Sequence, residues 1–246
     1  MRAFACLFAC VSACSLLVNV DDLGKSDASA SMIERRTTSA VIYPFMGSPM
    51  TWTLKVPSTV QPGELLLATL CGGDSATSVT AIETPPVGWT LLDTRVISGN
   101  GIFSRYYRVA GATEPASYDW TYNIAYYGVA WLTNYANVDT TTPFELPPNE
   151  TSLTGTSFDT PSSVSTTVPN SVALVTIYGY STATNAQWTI PTGLVQIIAI
   201  NNAHVRSAVS ADALIATPGV VATYTLTSNP SEDEAIVSLV IMRPRT

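Results

Sequence analysis

Two stretches decide the reading of this chain: Val60–Gly72, VQPGELLLATLCG, and Thr167–Gly179, TVPNSVALVTIYG. They align at an offset of 107 residues. Three more blocks follow in the same order. PPVGWTLL (Pro85–Leu92) aligns with IPTGLVQI (Ile190–Ile197) at 105, YDWT (Tyr118–Thr121) with YTLT (Tyr224–Thr227) at 106, and GVAWL (Gly128–Leu132) with IVSLV (Ile236–Val240) at 108. Near-constant offsets across four blocks describe a duplicated unit: strand, Pro-x-Gly turn, hairpin, Tyr-bearing strand, closing strand. One such unit alone would expose an apolar face, so two must cover each other. The expectation is all-β: a two-sheet, jelly-roll-like sandwich built from two similar halves, about 40–140 and 160–246, sharing one core. Two independent beads are the alternative. The Thr- and Ser-rich stretch Pro143–Pro169 reads as the connection.

Outward from these blocks, strand signals come in quick succession. Candidates are Ala40–Phe45, Thr51–Val56, Leu65–Cys71, Trp89–Ser98, Ile102–Ala110, Tyr118–Ile124 and Tyr127–Val138, then Val172–Tyr180, Leu194–Ile200, Val205–Ala213, Val221–Leu226 and Ala235–Met242. Several alternate with period two, as in Thr51–Val56. Gln61-Pro62-Gly63, Pro85–Gly88, Ser98–Gly101 and Thr217-Pro218-Gly219 punctuate them as turns. No helical period of useful length stands out. Many short strands with this punctuation suit a sandwich or jelly roll. Charged residues are 12%, against about 25% in average soluble proteins. The net charge is −7. No Lys/Arg cluster exists to meet a phosphate backbone, so nucleic acid is not an expected partner.

The front of the chain has its own logic. Arg2 precedes an apolar run, Ala3–Val11, and then Val11-Ser12-Ala13-Cys14. Charge, apolar stretch and small residues are the parts of a secretory signal. The segment resembles a bacterial lipoprotein signal, which implies residues 1–13 as signal peptide and Cys14 as the lipidated first residue. Ser15 after that cysteine implies, by the same resemblance, an outer-membrane or cell-surface location. Plain secretion after a small-x-small cut is the alternative. A retained anchor is a third reading, although Ala3–Val18 is sixteen residues, short of the roughly 20 that cross a bilayer. Residues 14–38 read as a solvated tether, and 39–246 as the sandwich domain. With Cys14 lipidated, Cys71 is a lone thiol in an apolar run and reads as a buried small hydrophobe.

The stretch GWTLLDTRVISGNGIFSRYYRVAGATEPASYDWTY, with GVAWLTNYANVDTTTPFE after it, resembles an uncharacterised β-sandwich module. That module recurs in secreted bacterial surface proteins and phage tail proteins. The residues that carry the likeness are Pro86–Trp89, Tyr106–Ala110, Glu114–Trp120 and Tyr135–Pro143. The resemblance spans most of residues 40–246. It implies a fold and an extracellular setting, and no active site.

Catalytic chemistry finds little footing. The one histidine, His204, sits at an expected turn beside Asn201 and Asn202. No Gly-x-Ser-x-Gly elbow, Walker motif or dinucleotide glycine pattern is present. One His and one mature Cys fall short of a zinc site. Carboxylates are the remaining enzyme route, with Glu114, Asp119, Asp139 and Glu145 near the best-matched blocks; Asp139 reads as a loop-capping Asx residue. No cofactor is implied. Calcium is a candidate at Ser228–Glu234, SNPSEDE, which otherwise reads as a solvated hairpin loop. Aromatic residues supply the binding case, because their faces stack on sugars. Tyr118, Trp120 and Tyr122 share one strand face and are read as core, with a binding face as the alternative. Tyr126, Tyr127 and Trp188 border turns and are the candidate ligand-binding residues. The expectation is a surface-tethered, non-enzymatic recognition or adhesion module whose partner is an extracellular glycan or protein. A self-assembling surface protein and a carboxylate-pair carbohydrate hydrolase are the alternatives.

Overall fold

A computed structural model describes residues 31–43, 50–73, 83–97, 101–122, 127–181, 187–202 and 206–246. Every regular element in them is a strand, and the strands pair antiparallel. The first half contains β1 (Glu34–Tyr43), β2 (Met50–Lys55), β3 (Leu65–Gly73), β4 (Glu83–Thr84), β5 (Thr90–Ile97), β6 (Gly101–Val109), β7 (Ser117–Tyr122) and β8 (Tyr127–Ala136). The second contains β9 (Asn149–Asp159), β10 (Ser165–Thr166), β11 (Ser171–Tyr180), β12 (Gln187–Thr189), β13 (Val195–Asn202), β14 (Arg206–Ile215), β15 (Gly219–Val220) and β16 (Thr225–Met242).

The duplication is present in the backbone, residue by residue. The main sheet of the first half runs β1-β8-β3-β6-β5, and that of the second runs β9-β16-β11-β14-β13. Ala68 faces Leu132, and Val175 faces Leu239, 107 residues on; the last block therefore aligns at 107, Gly128 with Ala235, and the offset of 108 expected from the sequence is one residue too long. A register shift between Leu91 and Asp93 recurs between Gln196 and Ile198. The turns before β3 and β11 place Gly63 (φ 82) and Asn170 (φ 61) in the left-handed region, which Gly and Asn tolerate at least cost. Gly88 and Gly193 do the same before β5 and β13.

A smaller layer covers the outer face of each main sheet. In the first half it is β2-β7-β4. In the second, the early part of β16 is flanked by the end of β9 and by β12. The β10–β15 pair closes the same core through the neighbouring Val164 and Val221. Side chains alternate along the central strands as the pleat requires. Leu66, Ala68 and Leu70 of β3 enter the first-half core with Trp52, Trp89 and Trp120, while Leu65, Leu67 and Cys71 turn the other way. On β11, Ala173, Val175 and Ile177 enter the second-half core, while Val172, Leu174 and Tyr178 turn the other way. These second faces meet, so the two main sheets pack against each other. Burying each such Leu contributes about 1.5–3 kcal/mol.

The stacking is reciprocal. β8 crosses β13 and β14, while β16, the counterpart of β8, crosses β5, the counterpart of β13. Arg35 of β1 donates to the Gln196 carbonyl of β13 at 3.1 Å, and Arg95 of β5 pairs with Glu150 of β9. Exchange of equivalent contacts is the signature of an approximate two-fold axis.

The all-β sandwich class expected from the sequence is the fold that forms; its cores and boundaries differ in detail. The shared core lies between the two main sheets, but each half also closes a core of its own. The proposed tether, 14–38, loses its last residues to β1, because Glu34 and Arg35 pair with Ala136 and Tyr135 of β8. The domain therefore begins before residue 39. The presumed connection 143–169 contains β9 and β10; β9 has polar side chains on both faces, so periodicity did not mark it. Of the strand expected at 221–226 only Thr225 and Leu226 are strand, and they open β16, which runs on through the strand expected at 235–242; SNPSEDE lies inside it rather than in a hairpin loop.

A candidate binding groove along β9

β9 and β16 are long because they pass from the main sheet into the outer layer. Asn149–Leu153 pairs with Ala235–Leu239, and Ser157–Asp159 with Thr225–Thr227. Between the two the register slips, and β9 turns at Gly155 (φ 108), where a side chain would be strained. Phe158 anchors the far end, fully buried in the second-half core. The turn leaves a groove of about 670 Å³ beside β9. Exposed Asn149, Ser157, Asp159, Ser162 and Thr223 line it, with Leu153 and Pro161 as its apolar patches. Asp159 is steadied by the Thr225 hydroxyl at 2.6 Å. Thr160 is held by Tyr224, whose N–H donates to its hydroxyl at 2.9 Å. Glu150 closes one wall, its side chain largely buried and paired with Arg95. Hydroxyl, amide and carboxylate groups over a narrow apolar strip can accept and donate along an extended polar ligand.

The sequence-predicted binding residues are not gathered into one place. Cys14 and Tyr126 lie outside the described residues, as does His204. Tyr127 opens β8 in the first half. Trp188 lies on β12 in the second half, half-buried on the core, with its ring 5.5 Å from that of Phe158. One part of its ring packs on that core. Tyr118, Trp120 and Tyr122 are buried, with Trp89 edge-on to Tyr118 and Trp120. That row is core.

The four carboxylates singled out near the matched blocks hold loops and strands. Glu114 accepts from the Gly111 N–H at 2.7 Å and from the Tyr118 hydroxyl. Asp119 accepts from Thr53 at 2.7 Å. Asp139 caps the N–H groups of Thr141 and Thr142, the Asx role expected of it, and these bonds hold its carboxyl below its ordinary range. Glu145 accepts from Thr166, Thr167 and Ser171. Cys71 is buried, as expected of a small hydrophobe in that run.

Two polar sites escaped sequence reading. Glu232, in SNPSEDE, is 2% exposed. It accepts from Ser207 at 2.7 Å, and burial pushes its carboxyl up to about 7, with Asp233 adding to the rise. The irregular register of β16 turns this acid inward, as bulges do; an acidic run gives no hint of which member turns. The second is a hollow of about 530 Å³ where the two halves meet. On its lining, Asp212 accepts from the Tyr135 hydroxyl at 3.2 Å and faces Arg35 at 3.6 Å. Burial raises the Asp212 carboxyl above its ordinary range. These groups satisfy one another and tie the halves together. Among the described residues, no three His, Cys, Asp or Glu side chains gather as a metal site.

No family model matches the chain, and neither a curated protein nor a solved structure does.

Proposed function

We propose that this chain is a surface-tethered, non-enzymatic recognition module whose ligand seat is the β9 groove, suited to an extended polyhydroxylated ligand such as a glycan. The groove is the observation that carries the reading: exposed amide, hydroxyl and carboxylate side chains stand along a bent strand whose far end is fixed in a core. Such a surface pairs with hydroxyl groups, and its apolar strip meets the C–H face of a sugar. The lipoprotein-like Val11–Cys14 segment supports the tether and the cell-surface or outer-membrane setting. Binding on a glycan array followed by titration tests the reading. Asn149→Ala and Asp159→Ala should each weaken binding about tenfold, equal to 1.4 kcal/mol. Binding that persists in both but fails in Tyr127→Ala or Trp188→Ala moves the seat to the aromatic residues. Concentration-dependent oligomers without glycan affinity favour an assembly protein instead. Loss of lipid label and of membrane fractionation in Cys14→Ser tests the anchor.

One observation favours a second reading. Glu150 and Asp159 border the same groove, and the Glu150 carboxyl is held above its ordinary range by burial and by Asp93. A raised acid and a second carboxylate are what glycoside hydrolysis uses. Release of reducing ends that Glu150→Gln abolishes would establish it.

A further inference from the structure

The seam between the halves carries a charged cluster of which only Glu150 borders the groove. Asp93 and Arg95 come from β5, Arg105 from β6, Ser238 from β16 and Glu150 from β9. Arg105 is wholly buried; its Nε donates to Asp93 at 2.8 and 3.1 Å, and its Nη2 donates to Asp93 and Ser238. Arg95 Nε donates to Glu150 Oε2. That leaves Glu150 Oε1 buried with no hydrogen-bond partner. Its neighbour across the seam is the Asp93 carboxylate. A buried acceptor without a donor is costly, and here it faces another acceptor. A proton on Oε1 converts that opposition into an O–H donating to Asp93.

We propose that Glu150 carries a proton on Oε1 and donates it in a hydrogen bond to Asp93 across the seam, making a pH-sensitive tie between β9 and β5. The other charges around Glu150 are Arg95, Arg105 behind Asp93, and Asp159 farther along the same groove; β16 brings the neutral Ser238. Burial and Asp93 both favour the protonated acid, against the pull of Arg95. As pH rises the proton leaves and the tie to Asp93 opens, while the exposed Arg95 still pairs with Glu150. One wall of the groove is thereby set by pH, whatever the groove binds, so this inference stands or falls apart from the recognition reading.

Carboxyl carbon NMR titration of the full chain tests it directly. The Glu150 midpoint should lie above the ordinary glutamate value of 4.5, and should fall by roughly one pH unit or more in Asp93→Asn. An ordinary midpoint, or one that Asp93→Asn leaves unmoved, overturns the proposal. Because Asp93→Asn also strips Arg105 of its partner, Glu150→Gln provides a second arm. Its amide can donate to Asp93 in place of that proton. Thermal midpoints of Glu150→Gln and the unaltered chain should coincide in acid, with the variant higher above neutral pH. A constant gap across pH overturns the proposal.

Discussion

The two halves share a topology and differ in what fills it. The first-half core is aromatic: Trp52, Trp89, Tyr106 and Trp120. At the matched positions the second-half core has Phe158, Leu194, Ala211 and Leu226. The extra volume of the first is accommodated in the backbone. Gly128 lets the Trp52 ring approach so closely that an added Cβ would lie 2.1 Å from it. Its counterpart, 107 residues on, is Ala235, which shares a core with the smaller Phe158. The comparison teaches that strand order and register follow from alternation and turns. The identity of the filling follows from local volume, which cores trade between neighbours.

Substitutions at matched positions can break or sharpen this comparison. The largest effect is expected at Trp120→Ala, about 4 kcal/mol, against about 3 kcal/mol for Leu226→Ala, both by urea denaturation. Because the main sheets share the seam, both should lower one common transition; two separated transitions would show that the halves do not stabilise each other.

Glu232→Gln comes next. The folded state keeps this proton up to about pH 7, while the unfolded chain releases it near 4.5. The contribution is therefore full below pH 4.5, is lost as pH rises towards 7, and stays flat above. The loss is up to about 3 kcal/mol. The variant should match the unaltered chain in acid and exceed it above neutral pH; identical pH profiles would refute an inward, proton-holding Glu232.

Gly128→Ala should cost about 1–3 kcal/mol through overpacking, and Trp52→Phe in the same chain should recover the part due to the ring, as in the Ala235–Phe158 pair, while the Cys71 carbonyl, 2.8 Å from the added Cβ, keeps the rest. A double variant less stable than either single one would break the equivalence.

The smallest effect sharpens it. Thr53 bonds Asp119, and Asp159 bonds Thr225, with the two residue types exchanged between the strands. Swapping them in the first half, Thr53→Asp with Asp119→Thr, should change stability by less than about 0.5 kcal/mol.

How much of this was legible in the sequence depended on the element. β3 and β11 were legible because an apolar run between turn residues has few other homes, and their offset carried the duplication. β8, β13 and β14 followed from the same pattern. β9 was not legible: NETSLTGTSFD lies on a sheet edge, and only Leu153 and Phe158 pack on the core, too few to set a period. The groove was hidden with it, since its bend depends on Gly155 and on register slips against a strand some 80 residues away. The aromatic row was read as core because Tyr118, Trp120 and Tyr122 share one strand face. Glu232 and Glu150 could not be recognised, because a carboxylate's burial depends on which neighbours surround it and not on its own place in the chain.

By itself, the sequence determined that the chain is β throughout, that it repeats, and where most strands and turns fall. These follow from local backbone preference and from the period of two, which act over a few residues. Only the tertiary structure decided that each half closes a core of its own beside the shared one, that the outer strands of the second half fuse and bend, and that Arg95, Asp93 and Glu150 meet. Those outcomes depend on volume and charge brought together across sheets, and no spacing along the chain encodes that distance.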